Sequence, residues 1–307
     1  METPSFKEDH ISQIPALLLL QKLGYTYLSQ TQALQHRGNK TTHVLLEDIL
    51  RKQLKEINSI RLSSSKTSVF SDANIENGIQ ALKDVPMQEG YITACEYVYN
   101  LLTLGKALEQ SIDGDKKSFT LQYIDWKNPE NNVYHVTEEY NVMRSNTKEH
   151  YIPDIVLFVN GIPFCIIECK RPDMKESLSQ AISQQLRSQQ EDGIRNLYVY
   201  TQSLLSVATD QASYATNGTV EKFWAKWEEK FSSDEEESAY NDNLYEIKNK
   251  PLPKTESEKL FGERFRYVKK YFDALEQQNV MVTKQDEYLY NLCRPERLLD
   301  LVFNFIL

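Results

Sequence analysis

Asp154, Glu168 and Lys170 are the side chains whose types and spacing could do chemistry. Glu168 and Lys170 stand two apart in the run Pro163-Phe-Cys-Ile-Ile-Glu-Cys-Lys170, so on a strand they share one face while Ile167 and Cys169 take the other. A carboxylate and an ammonium closing an apolar strand are costly to desolvate unless paired with each other, a metal or a ligand. Asp154 opens the preceding run, Asp154-Ile-Val-Leu-Phe-Val159. Two carboxylates converging on one point are hard oxygen ligands suited to Mg²⁺, with the backbone carbonyl of Cys169 as a third ligand. Such an ion polarises a phosphoryl oxygen and acidifies a bound water, and Lys170 would orient that water or offset charge on the phosphorane. That set describes metal-dependent phosphodiester hydrolysis. On residue types alone, a salt bridge at a strand end accounts for the trio equally well.

Register decides whether Asp154 can join the other two. A strict two-residue turn at Asn160-Gly161 pairs Val159 with Ile162, and hence Asp154 with Ile167, on the wrong face. The site therefore requires a three-residue loop or an equivalent bulge, which shifts the parity by one.

Around this hairpin the apolar periodicity predicts helices over residues 11–23, 42–57, 74–82 and 88–104. Strands are expected over 119–126 and 134–143, as a hairpin, and over 196–201, with a helix over 174–190 between the catalytic strand and the last of these. The expected fold class is α/β: a mixed central sheet flanked by helices, followed by a linker and a helical C-terminal segment. On the helix over 174–190, Gln180, Gln184 and Arg187 recur at i, i+4 and i+7, a polar stripe able to approach a DNA backbone beside the metal. Arg171, Lys175 and Arg195 are further candidates for DNA contact, each matched by the plain reading of a solvated surface charge.

The chain has 307 residues, 40% hydrophobic and 26% charged, enough for a sizeable core. Its net charge of −9 argues against a simple cationic coat for nucleic acid, but the acid is unevenly spread. Residues 221–263 carry 12 acids against 7 bases, while residues 144–190, around the trio, carry 6 bases against 5 acids. A polyanion would have to meet that local region. The four cysteines form no CxxC pair and have no histidine at metal-ligand spacing, which fits a reducing cytoplasm and no zinc site. No signal pattern or apolar run long enough to span a bilayer is present, so no membrane partner is expected.

Pro153-Asp154 followed, after a hairpin, by Glu168-Cys169-Lys170 resembles the PD-(D/E)XK nuclease motif. The longer string Asp154-Ile-Val-Leu-Phe-Val-Asn-Gly-Ile-Pro163 is similar to the N-terminal nuclease domain of type I restriction enzyme R subunits. Val136-Thr-Glu-Glu-Tyr140, Ala208-Thr-Asp210 and Gly218-Thr219 add to the likeness, which runs over roughly residues 10–230. The resemblance implies a restriction-endonuclease-like core, Asp154, Glu168 and Lys170 as catalytic residues, Mg²⁺ as cofactor and DNA as substrate. It further implies ATP-driven translocation by a motor beyond this sequence, and assembly with methylation and specificity subunits. No GxxxxGK[ST] phosphate loop occurs in the chain, and residues 295–307 read as the lead into that motor.

Related nucleases carry a QxxxY motif on the helix after the catalytic strand. Gln180-Ala-Ile-Ser-Gln184 takes that place here, with Gln184 where tyrosine is expected. Family members also hold an acidic residue near the metal on an N-terminal helix, for which Glu47 is the candidate and Asp48 the second. An exposed acid supporting Arg51 is the competing account of Glu47. The chain thus divides into an endonuclease domain over 1–225 and an acidic linker with the start of the motor region over 226–307. A nuclease-like scaffold or DNA-binding module without catalysis of its own, and a standalone RecB-like DNA-repair nuclease, stay open as alternatives.

Overall fold

The computed structural model describes residues 9–63, 66–171 and 176–305. Its centre is a six-stranded mixed sheet of β1 (Thr26–Tyr27), β2 (Tyr134–Glu138), β3 (Ile155–Val159), β4 (Ile162–Lys170), β5 (Ser203–Ala208) and β6 (Gln211–Ala215), neighbours in that order. β1 runs parallel to β2 and β4 parallel to β5, while the other pairs are antiparallel. Every residue of β3, and of β4 up to Cys169, is buried, as a strand covered on both faces requires.

The helices used below are α1 (Ile14–Lys22), α2 (Glu47–Ile57), α3 (Asp72–Lys83), α4 (Tyr91–Leu104), α5 (Ser177–Ser188), α6 (Asp234–Asn249), α7 (Lys284–Cys293) and α8 (Pro295–Phe305). α5 covers one face of the sheet: Gln185, fully buried, donates through Nε2 to the Leu205 carbonyl at 2.6 Å and lies 3.4 Å from the Ser206 hydroxyl. α1 and α7 pack together on the sheet; Ser12, just before α1, donates its hydroxyl to Gln285 on α7 at 2.6 Å, and Tyr25, at the sheet entry, donates to the Cys293 carbonyl at 2.6 Å.

Several expectations are corrected. The helix over 42–57 begins only at Glu47, because the Leu46 amide is committed to the Gly161 carbonyl at 2.9 Å, tying this chain to the β3–β4 turn. The helix over 88–104 starts at Tyr91 after Gly90, whose φ of +110° breaks the helical path. The hairpin of 119–126 with 134–143 does not form. Asp115–Leu121 instead pairs with Lys106–Ile112 across Asp113-Gly114, both at positive φ, and Tyr134–Glu138 enters the central sheet as β2. The Asp-Gly pair is the hairpin signal that pointed to the correct partner. Residues 195–198 form a short helix, and the strand begins later, at Ser203, where it lies in register beside β4. Ser232 to Ser238, read as linker, lead into and begin α6: the Ser233 hydroxyl accepts from the Glu236 amide and four acids occupy the first turn, where the helix dipole favours them.

The β3–β4 turn is a two-residue connection with Asn160 at φ +52° and Gly161 at φ +83°. Asn160 is fully buried, and its side chain accepts from the Val133 amide at 2.9 Å while donating to Tyr123 O at 2.9 Å and Asn132 Oδ1 at 2.7 Å. Gly161 has no room for a side chain: an added Cβ would lie 2.6 Å from the Leu46 carbonyl oxygen and 3.0 Å from the Leu50 amide. Left-handed strain of about 1–2 kcal/mol adds to that clash. Gly161→Ala is therefore expected to destabilise by about 2 kcal/mol or more, measured by urea unfolding, and an unchanged midpoint would contradict this packing.

Candidate active site

The two-residue turn alone would have sent Asp154 to the wrong face. A bulge at Phe164 corrects the parity: Pro163 lies opposite Phe158, but Cys165 lies opposite Leu157 and Ile167 opposite Ile155. Asp154 is thereby set opposite Glu168, and the bulge rather than a longer loop satisfies the register requirement. Phe164 keeps its place because its ring is fully buried against Trp126, 6.4 Å between centroids, and its carbonyl accepts the Gln202 amide at 2.8 Å.

The trio meets at the C-terminal end of β4, beside parallel β5. Carboxyl ends of parallel strands are the usual ligand edge of an open α/β sheet. Asp154 Oδ2 accepts the Cys169 backbone N–H at 2.7 Å and lies 3.8 Å from Lys170 Nζ. Lys170 Nζ also donates to the Cys169 carbonyl at 3.0 Å. Glu168 is 1% exposed, pairs in register with Ser206 on β5, and accepts at Oε2 from Gln184 Nε2 at 2.6 Å. The Asp154 side chain is 18% exposed and that of Lys170 11%, so solvent reaches the site through a narrow opening. The Asp154 carbonyl is held from two sides, by Gln13 Nε2 at 3.0 Å and the Glu139 amide at 2.9 Å.

Gln184 therefore turns inward, unlike Gln180 and Arg187, which are exposed on α5. Gln184, which stands where the related nucleases carry tyrosine, is thus the α5 residue whose amide is bonded to the Glu168 carboxylate. The anchoring role of Gln185 had no signal beyond its place between the polar stripe and the apolar face. Arg171 is half-buried at the strand end, while Lys175 lies outside the described residues. Arg195 is engaged within the protein, donating to the Gln189 carbonyl at 2.7 Å and lying over the Tyr91 ring at 5.0 Å.

Glu47 is not brought to the pair. Its carboxylate binds Lys83 Nζ at 2.9 Å and lies 3.4 Å from His43 Nδ1. Asp48 lies 3.5 Å from Arg51, which is paired with Glu76. Among the described residues no group of three or more His, Cys, Asp or Glu side chains gathers to hold a metal ion.

Two carboxylates and the Cys169 carbonyl nonetheless make an all-oxygen donor set that fits a hard divalent ion retaining several waters. Cys169 contributes only its backbone. Its thiol is fully buried on the other face, and burial, with the Asp154 and Glu168 charges, pushes its pKa well above the ordinary value.

The family described as type I restriction enzyme R protein N terminus matches residues 5–230. Over 206 residues the chain is 30% identical to the MjaVIIIP endonuclease subunit assigned to a type I restriction enzyme of Methanocaldococcus jannaschii, covering 66% of this chain and 18% of that protein. The MjaIXP endonuclease subunit of the same organism is 25% identical over 264 residues, covering 81% and 24%. The HindI type I restriction enzyme endonuclease subunit of Haemophilus influenzae is 28% identical over 204 residues, covering 64% and 18%. The chain thus spans less than a quarter of the length of these curated relatives. Among the described residues no helix is long and apolar enough to cross a membrane.

Proposed function

Because the chain belongs to the type I restriction enzyme R protein N-terminus family, we propose that the edge formed by Asp154, Glu168 and Lys170 is the DNA-cleaving centre of a restriction subunit. The observation that carries this reading is the Phe164 bulge: it brings two carboxylates and a lysine, fourteen to sixteen residues apart, to one face at the carboxyl end of a buried strand.

Asp154, Glu168 and the Cys169 carbonyl would hold Mg²⁺, which supplies charge neutralisation at the scissile phosphate and a more acidic water. The chain's own groups do the rest. The Cys169 amide and Gln184 fix the orientations of Asp154 and Glu168, so little reorganisation accompanies substrate entry. Lys170, held by the Cys169 carbonyl and near Asp154, is placed to orient the attacking water and to stabilise the extra negative charge as the phosphorus gains its fifth oxygen. The water's oxygen bonds to phosphorus, its proton passes to solvent, and the leaving alkoxide takes a proton in turn. Gln180 and Arg187, exposed on α5, and Arg171, next after Lys170 in the chain, would supply phosphate contacts.

In the intact enzyme this centre would act with an ATP-driven translocase elsewhere in the polypeptide, and with methylation and specificity subunits, in the cytoplasm. Four free thiols fit that compartment. A DNA-holding module without catalysis is the competing reading, favoured by one observation: Asp154 and Glu168 already accept hydrogen bonds from the protein's own donors, and among the described residues no group of three or more acidic, histidine or cysteine side chains gathers at them. Calorimetric titration with Mg²⁺ separates the two. Asp154→Ala is expected to abolish both ion uptake and DNA cleavage, and a variant that still restricts DNA would defeat the nuclease reading.

A further inference from the structure

Three buried polar side chains form a continuous path to Asp154. Ser12, Gln13 and Gln285 are 0%, 5% and 1% exposed. Ser12 and Gln285 bond each other twice: the Ser12 hydroxyl donates to Gln285 Oε1 at 2.6 Å, and Gln285 Nε2 donates back to the Ser12 carbonyl at 2.9 Å. Gln13, the next residue, donates through Nε2 to the Asp154 carbonyl at 3.0 Å. Polar groups at this depth cost stability unless they are paired, and a paired set fixes geometry more narrowly than apolar packing does.

Local structure sends the two neighbouring side chains to different partners. Residues 9–13 form one π-helical turn that runs into α1, and successive residues of a helix point about a quarter turn apart, so Ser12 faces α7 while Gln13 faces the entry to β3. The far end of the path is tied down. Thr283 and Asp286 cap the first turn of α7 reciprocally, Asp286 also pairs with Lys248, and the Gln285 amide donates to the Thr209 carbonyl, just past β5, at 3.4 Å. At the near end, Gln13 and the Glu139 amide, the latter at 2.9 Å, together occupy the two lone pairs of the Asp154 carbonyl. That carbonyl lies in the peptide plane leaving the Asp154 Cα. Fixing it fixes the direction in which the carboxylate projects toward the Cys169 N–H.

We propose that Gln13 and Gln285 are positioning residues for Asp154: Gln285 seats Ser12, and Gln13 in turn holds the backbone that aims the carboxylate. The proposal rests on the reading of Asp154 as a metal ligand of the nuclease centre. It extends the support of that centre to α7, which lies outside residues 5–230, the part matched by the restriction family.

Gln13→Met and Gln285→Met keep length and bulk and remove the bonds. Amide hydrogen exchange reads the aim of Asp154 without metal, because the Cys169 N–H donates to Asp154 Oδ2. In each variant the Cys169 amide should exchange about fivefold faster, the worth of one neutral hydrogen bond, while the ladder amides of β3 and β4 keep their rates. Mg²⁺ affinity, from calorimetric titration of the 307-residue chain, should fall by about the same factor, as it does when an outer partner of a metal ligand is lost. Since Gln285 acts through Gln13, the double variant should lose no more than Gln13→Met alone. Ser12→Ala removes one of the two bonds to Gln285 and should move both readouts about twofold, which serves in place of Gln285→Met should that chain fail to fold. An unchanged Cys169 rate, or an acceleration spread evenly over β3 and β4, would show the contacts to be structural and overturn the proposal. So would additive losses in the double variant. Normal Mg²⁺ affinity in the variants, beside binding by the unsubstituted chain, would overturn it and leave the nuclease reading intact. Failure of the unsubstituted chain to bind Mg²⁺, with Cys169 exchange still accelerated in the variants, would defeat the nuclease reading and leave the path to Asp154 standing.

Discussion

Lys170→Ala, introduced into the complete restriction subunit, should reduce DNA cleavage about 10²- to 10⁴-fold while leaving ATP hydrolysis unchanged. The ammonium is 3.0 Å from the Cys169 carbonyl and 3.8 Å from Asp154, and its side chain is 11% exposed, so its charge acts at short range in a poorly solvated site. Removing it takes away transition-state stabilisation without removing any oxygen donor. Mg²⁺ affinity should therefore hold or rise, since a competing cation has left the carboxylates. That pattern is the opposite of the one expected for Asp154→Ala, which loses the ion. Cleavage assays on linear and circular DNA, run beside a phosphate-release assay, give both numbers, and undiminished cleavage by the lysine variant would remove Lys170 from the mechanism.

The second large effect is on stability. Glu138, on β2, is 1% exposed and its Oε2 has no hydrogen-bond partner among the described residues. Burial raises its pKa to about 7, against the smaller opposing pull of the Tyr27 hydroxyl and of Arg264. A carboxyl whose pKa is higher folded than unfolded favours the folded state while it is protonated. Its contribution is fully present below the unfolded value, near 4.5, and is lost as pH climbs to about 7. The shift corresponds to about 3 kcal/mol. The unsubstituted chain should therefore lose stability between about pH 5 and 8, and Glu138→Gln, neutral throughout, should lose about 3 kcal/mol less over the same interval. Urea unfolding at the two ends of that range measures it. Parallel pH profiles for the two proteins would place the ionised carboxylate elsewhere. Glu138 lies opposite Ile155, and its neighbour Glu139 holds the Asp154 carbonyl through its amide, so a local loosening here would reach Asp154 through the backbone.

Alternation of side chains along a strand, together with the character of two apolar runs joined by Asn160-Gly161, was enough to identify β3, β4 and the three residues at their ends. It was also enough to state the condition under which they meet. These are local properties, legible because a strand's period and a turn's φ preferences are set within a few residues. Phe164 as the bulged residue was not legible, because nothing in its type marks it. Its position depends on Trp126 and on the Gln202 amide, contributed from distant parts of the chain. The same limit explains β2, which joined the central sheet while the segment expected as its hairpin partner paired with Lys106–Ile112 in a separate ribbon. It also explains residues 196–201, whose apolar and aromatic residues read as strand, whereas the close approach of Gly193 to Ser188 precedes a helical turn at Arg195–Tyr198.

Side-chain roles divide along the same line. Chemistry and spacing singled out Asp154, Glu168 and Lys170, and helical period placed Gln180, Gln184 and Arg187 on one stripe. Only the tertiary structure turned Gln184 toward Glu168, seated α5 through Gln185, and bound Glu47 to Lys83. Residue type and period determine which groups are available and which face of their own element they occupy. Which of those groups meet is decided by the packing of whole elements against one another, through contacts that no local window of sequence contains.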